Sequence, residues 1–112
     1  MAHEWIQEYP AAITVCDTHG LILEMNDKAA LTFEDEGGAN LVGTNLMDCH
    51  NTTSQTRIKE LLATGSKNVY TIEKQGKRKL IYQSPWFENG VCMGLVELSL
   101  EIPPDMPHFM RG

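Results

Sequence analysis

Asp48, Cys49 and His50 are the consecutive residues whose types most invite chemistry. An imidazole titrates near neutrality, binds metals and moves protons. A thiol near a helix N-terminus can have its pKa lowered and become redox-sensitive, and this trio directly precedes a helical stretch that starts near Thr52. His50 could therefore ligate a haem or metal or bind a ligand carboxylate, and Cys49 could sense redox state. The alternative is that His50 hydrogen-bonds its own loop and Cys49 packs as a small apolar residue. As nucleophile and base the pair is badly arranged. Neighbours in sequence diverge in direction, and no third group is visible to orient the imidazole. No Ser-centred elbow, phosphate-cradling glycine loop or zinc spacing is present. The chain is expected not to be an enzyme.

Four further residues, Met25, Met47, Tyr82 and Cys92, could line an interior cavity together with His50 and Cys49. Methionine adapts to a ligand or to an irregular core equally well, so core packing is the alternative for each. His19 and His108 fall in a turn and in a tail, where solvation explains them.

The elements that must position these residues follow from patterning. Trp5, Ile6 and Tyr9 share a face of a short helix over 3–9 that Pro10 stops. Residues 12–16 form a β-branched strand, 17–20 a turn with Asp first and Gly last, and 21–25 a second strand. Asn26 caps a helix whose buried stripe is Ala29, Ala30 and Phe33. The acidic stretch 34–38 reads as a solvated loop, and 41–50 as one or two helical turns over the core. Residues 52–64 form the main helix, with Ser and Thr as N-cap choices, Ile58, Leu61 and Leu62 inward, and Gly65 as its stop. Three strands follow, 68–73, 78–87 and 91–101, turning at Gln75-Gly76 and Asn89-Gly90. Pro103, Pro104 and Pro107 end regular structure. The order of elements makes an α+β fold, in which the last strand closes against the first and helices gather on one face. One domain is expected over 1–112, with a cap segment 1–10, a core 11–102 and a tail 103–112.

Strict alternation puts Cys92, Gly94, Val96, Leu98 and Leu100 on one face of the last strand, and Met93 and Leu95 on the other. In the second strand it separates Leu21, Leu23 and Met25 from Ile22. Both sheet faces are then partly apolar, and the outer one needs a cover: the N-terminal Trp5, Ile6 and Tyr9 segment, the tail with Phe109, or a second copy of the chain. For a second copy, Trp5, Ile6, Ile22, Met93 and Leu95 are the expected homodimer interface.

A chain of 112 residues with 42% hydrophobic content can bury one core. A net charge of −6 argues against nucleic acid and anionic membrane surfaces as partners. The basic cluster of Lys74, Lys77, Arg78 and Lys79 straddles a hairpin turn and reads as a solvated tip. The scattered, odd number of cysteines fits a reducing compartment. With no signal peptide and no apolar run of about 20 residues, the cytoplasm is the expected location.

Residues 15–29 resemble the opening of a PAS domain. That family shows Asp-x-x-Gly-x-Ile-x-x-x-Asn-x-x-Ala, which Asp17, Gly20, Ile22, Asn26 and Ala29 match position by position. Leu41-Val42-Gly43-Thr44-Asn45-Leu46 is similar to the next PAS landmark, and Ser84-Pro85-Trp86, Asn89-Gly90 and Gly94-Leu95-Val96-Glu97 to the last hairpin. The resemblance covers about residues 10–102. It implies a five-stranded antiparallel sheet in the order 2-1-5-4-3 with short helices on one face. It also implies a sensing and association module, a homodimer, and a small-molecule ligand, a signalling-protein partner or a parent chain. A ligand-free interaction domain with a filled core is the rival reading. Some PAS domains carry a similar Asp-Cys-His stretch. The flavin photosensors resemble Gly-x-Asn-Cys-Arg-Phe-Leu-Gln, and here Leu46 follows Asn45, which disfavours flavin. Haem-binding relatives take their iron ligand from the main helix, which has no His here, so a haem would have to use His50.

Overall fold

The computed structural model describes residues 4–112, and of Cys49 only the backbone. The elements are α1 (Glu4–Gln7), β1 (Ala12–Asp17), β2 (Ile22–Met25), α2 (Asp27–Thr32), α3 (Thr52–Thr64), β3 (Asn68–Lys74), β4 (Lys77–Glu88) and β5 (Val91–Glu101). Three single 3-10 turns, Glu34–Glu36, Gly38–Leu41 and Leu46–Cys49, occupy the stretch between α2 and α3. The strands form one antiparallel sheet in the order β2-β1-β5-β4-β3. The first strand thus pairs with the last, as the element order predicts.

Local chemistry explains the junctions. Asp17 Oδ1 accepts from the backbone N–H groups of His19 (2.8 Å) and Leu21 (2.9 Å), closing the β1–β2 turn. Gln75-Gly76 and Asn89-Gly90 all have positive φ, the conformation a two-residue hairpin turn requires. The N-cap of α3 is Asn51, whose side chain accepts from Ser54 N–H, rather than one of the Ser or Thr residues beside it. Gly65 ends α3 in the left-handed region, as its position predicts.

Two β-bulges determine which side chains face the helices. Along β4 and β5 the pairing runs to Trp86↔Gly94 and resumes at Phe87↔Cys92, so Met93 is an extra residue. Along β1 and β2 it passes from Val15↔Glu24 to Cys16↔Ile22, with Leu23 extra. Each insertion reverses the alternation beyond it. The inner face therefore carries Thr14, Cys16, Ile22, Met25, Leu95 and Glu97. Val96, Ile13, Val15 and Leu23 lie on the other face, with α1 beside them. Ile22 and Leu95, expected outside, are only 3% exposed and form part of the core. Strict alternation put Val96 and Leu98 inside; the bulge puts them outside.

The core gathers Cys16, Ile58, Leu61 and Leu95, with Leu46, Met47 and Leu62 against it. Gly94 makes the β5–β1 closure possible. Its φ is +152°, and a Cβ there would overlap the Cys16 carbonyl oxygen and come within 2.8 Å of Asp17 Cα. Gly94 thus meets the β1 backbone, not the helices. The Trp86 indole N–H donates to that same Cys16 carbonyl (3.1 Å), reaching from β4 past Gly94 to β1. Gly94→Ala is expected to lower unfolding free energy by at least about 3 kcal/mol. Gly76→Ala, at an exposed tip with nothing within 4 Å, should cost less. Urea titration of the two variants checks the difference.

Candidate functional site

A cavity of about 60 Å3, partly open to the surface, lies between the sheet and α3. Its walls are apolar except at Thr14, His50, Gln83 and Glu97. Phe33, His50, Ile58, Gln83 and Glu97 also line an open groove of about 270 Å3 that continues over β3 toward Tyr70 and Ile72. The two spaces meet along a shared wall, with the polar groups where they meet.

A chain of side-chain amides crosses the sheet there. Arg57 of α3 donates to Asn68 Oδ1 (3.5 Å), Asn68 Nδ2 donates to Gln83 Oε1 (2.9 Å), and Gln83 Nε2 donates to Glu97 Oε2 (2.7 Å). Residues Asn68, Gln83 and Glu97 are direct cross-strand partners on β3, β4 and β5, which is why their side chains meet. With both ends of the Gln83 amide engaged, its orientation is determined and one Glu97 oxygen is held.

His50 borders both spaces and is half-buried. Its Nδ1 lies 2.8 Å from the Leu46 carbonyl oxygen. A carbonyl only accepts, so Nδ1 carries the proton and Nε2 is the acceptor of the neutral ring. Gln55 anchors the same loop, donating to the Met47 and His50 carbonyls (2.8 and 2.9 Å).

The residues singled out in the sequence divide. Met25 and His50 line the cavity. Met47 is half-buried and packs against the core beside it. Cys92 is half-buried, its Sγ 4.0 Å from the Leu62 carbonyl oxygen at the end of α3 and away from the cavity. Tyr82 pairs with Leu98 on the outer face, because it alternates along β4 with Gln83, which lines the cavity. The side chain of Cys49 lies outside the described residues. Of the expected interface, Trp5 is 72% exposed, Ile6 lines the outer groove with Val15, Leu23 and Trp86, and Met93 is the half-buried bulge residue. Sequence reasoning missed Gln83, Glu97 and Tyr70. A glycine inside a strand commonly marks a bulge, and Gly94 was the signal that could have turned Glu97 inward.

Burial pushes the Cys16 thiol up, although a backbone hydrogen bond with Leu95 pulls the other way. Burial, and next the Glu97 carboxylate, push the Tyr70 phenol up. Among the described residues no group of three His, Cys, Asp or Glu side chains could hold a metal ion. The inner cavity of about 60 Å3 is by itself well below the range of about 300–1,000 Å3 for pockets that enclose drug-sized ligands.

The sheet order, α2 and α3 over one face and the cavity beneath them define the PAS fold. Solved structures agree. A C-terminal domain from Streptococcus mutans superposes with a TM-score of 0.73 at 21% identity, over 90% of this chain and 82% of that one. The PAS domain of the histidine kinase ThkA gives 0.63 at 21% identity, over 80% and 96%. The Aer2 receptor from Vibrio cholerae, described as a dual PAS-haem oxygen sensor, gives 0.62 at 17% identity, over 83% and 95%. No protein-family model matches the chain, and no curated protein matches it in sequence.

The raised thiol and phenol make alkaline stability a test of this geometry. The native state keeps protons that the unfolded chain releases. Stability that is complete below the ordinary thiol and phenol range is therefore lost as pH climbs through it. The urea midpoint should fall above about pH 9, and Cys16→Ala should flatten that fall. Equal slopes in the two proteins would contradict the assigned burial of Cys16.

Proposed function

We propose that this chain is a non-catalytic sensor module that holds a small molecule between the sheet and α3 and passes occupancy to a partner through the outer sheet face. The observation that carries the reading is that His50, Ile58, Gln83 and Glu97 line both the inner cavity and the groove beside it. By the water-sized measure of about 10–15 Å3 per site, the inner space takes about four to six small groups. That suits the head of a small metabolite, with the groove receiving the remainder.

The outer face supports the association half of the reading. Ile13, Val15, Leu23, Trp86 and Val96 line an open groove beside α1, and Trp5 stands exposed next to it. A second copy of the chain is the partner this reading assigns to that face. The homodimer interface then uses Trp5 and Ile6 with Val96 and Leu98, in place of Ile22 and Leu95. The free thiols of Cys16 and Cys92 fit a reducing compartment, and we place the module in the cytoplasm. Among the described residues no helix is long and apolar enough to cross a membrane.

Two measurements test this. Native mass spectrometry of freshly purified protein should find a bound mass that is lost on denaturation. Sedimentation should give a dimer that Leu98→Arg converts to monomer while its melting temperature stays within a few degrees. A wild-type monomer at all concentrations would remove the dimer.

A further inference from the structure

Glu97 is a half-buried carboxylate where the apolar cavity meets the groove, and it makes no ion pair among the described residues. Its Oε2 takes the Gln83 amide at 2.7 Å, and its other oxygen has no hydrogen-bond partner among them. A donor on that second oxygen would complete its hydrogen bonding, and a charged donor makes the stronger bond. The remaining groups at this end also favour a donor. Carboxylate oxygens only accept, and the His50 Nδ1 proton is engaged by the Leu46 carbonyl. The rings of Phe33 and Tyr70 line the groove, and aromatic faces attract cations.

The cationic side chains bordering the same groove are Arg57, Lys74 and Lys79. Arg57 is engaged by Glu60 (3.2 Å) and by Asn68. Lys79 stands four residues along β4 from Gln83, about 13 Å at strand spacing. The groove thus runs from an acidic inner end to a basic rim. That polarity favours a molecule with one positive charge at its buried end and a neutral or acidic far end. It disfavours a polyamine.

We propose that the sheet–helix cavity takes a small organic monocation, its protonated amine head on the Glu97 carboxylate and its apolar chain directed past Ile58 and Phe33. This assignment rests on the sensor reading above and names its ligand class. The Arg57–Asn68–Gln83 chain is the positioning device: it holds one carboxylate oxygen and leaves the other for the ligand's N–H.

The test uses the intact chain and three probes of equal length, n-butylamine hydrochloride, 1-butanol and sodium butyrate. Each is titrated at neutral pH by calorimetry and by amide chemical shifts. Butylammonium should bind at least ten-fold more tightly than either of the others and move the amides around Gln83 and Glu97. Glu97→Gln keeps an oxygen for Gln83 and should lose at least ten-fold for the amine alone, while Glu101→Gln on the exposed end of β5 should bind as wild type does. Equal affinities, a preference for butyrate, or an unchanged Glu97→Gln would overturn the proposal. The comparison of the three probes on wild-type protein stands even if a variant folds poorly. Butanol or butyrate entering where butylammonium does not would sink the charge assignment and leave the sensor reading intact. Failure of all three, with no bound mass in the native spectrum, would sink both.

Discussion

The closure of β5 against β1 at Gly94 is the contact on which the rest of this molecule depends. A strand from the end of the chain must lie against one from the beginning, at a point where the two backbones leave no room for a Cβ. The bulge at Met93 lets the strand make that approach, and the Trp86 indole satisfies the Cys16 carbonyl there. The bulge has a second effect, because the side-chain period of a strand is two and one added residue exchanges its faces. Leu95 and Glu97 turn inward and Val96 and Leu98 turn outward. One backbone irregularity therefore decides both the lining of the cavity and the composition of the outer surface.

A second device holds the N-terminal half to that frame. Asn26 is 2% exposed, and its side chain makes four hydrogen bonds. Its oxygen accepts from Ile13 and Ala29, so it both caps α2 and pins β1. Its nitrogen donates to the Ala11 and Ile6 carbonyls, which attaches α1 to the sheet. An aspartate has nearly the same shape but no donors, and its charge would face two carbonyl oxygens. Shape alone does not satisfy this position; the amide does, because it is donor and acceptor at once.

Much of the architecture was legible in the sequence, since local chemistry and global order agree. Asp17 with Gly20, Asn26, Gly65 and the Gln75-Gly76 and Asn89-Gly90 turns each dictate a junction through their own backbone or side-chain preferences. The succession of elements left one economical way to close a sheet. The candidate site was less legible. Its lining depends on face assignments that two bulges reverse, and strict alternation carried Ile22 and Leu95 outside, with Tyr82 taken for a cavity residue. Strict alternation also put Glu97 with Met93 and Leu95 on the face away from the cavity. Its partner Gln83 lies 14 positions away and meets it only through cross-strand register, which a single-strand pattern does not contain. His50 and Met25 were found because loop and strand-end positions beside the helices do not depend on that parity downstream of Met93.

The same parity links the two surfaces that the sensor reading requires. Glu97 points into the cavity while its sequence neighbours Val96 and Leu98 point out, so one short stretch of β5 belongs to both. A ligand shifts an equilibrium only by its differential affinity for two arrangements. The proposed ammonium head would create such a difference at the Gln83–Glu97 contact, where it would compete with, or add to, a neutral amide on the same carboxylate. A closely packed sheet does not absorb a changed strand position at one side chain alone. Under the proposed sensor reading, a ligand that displaced Glu97 would shift the β5 backbone at Val96 and Leu98 and so change the outer face. Coupling of this kind needs no moving helix and no long path: it needs a strand whose alternate residues face the ligand and the partner.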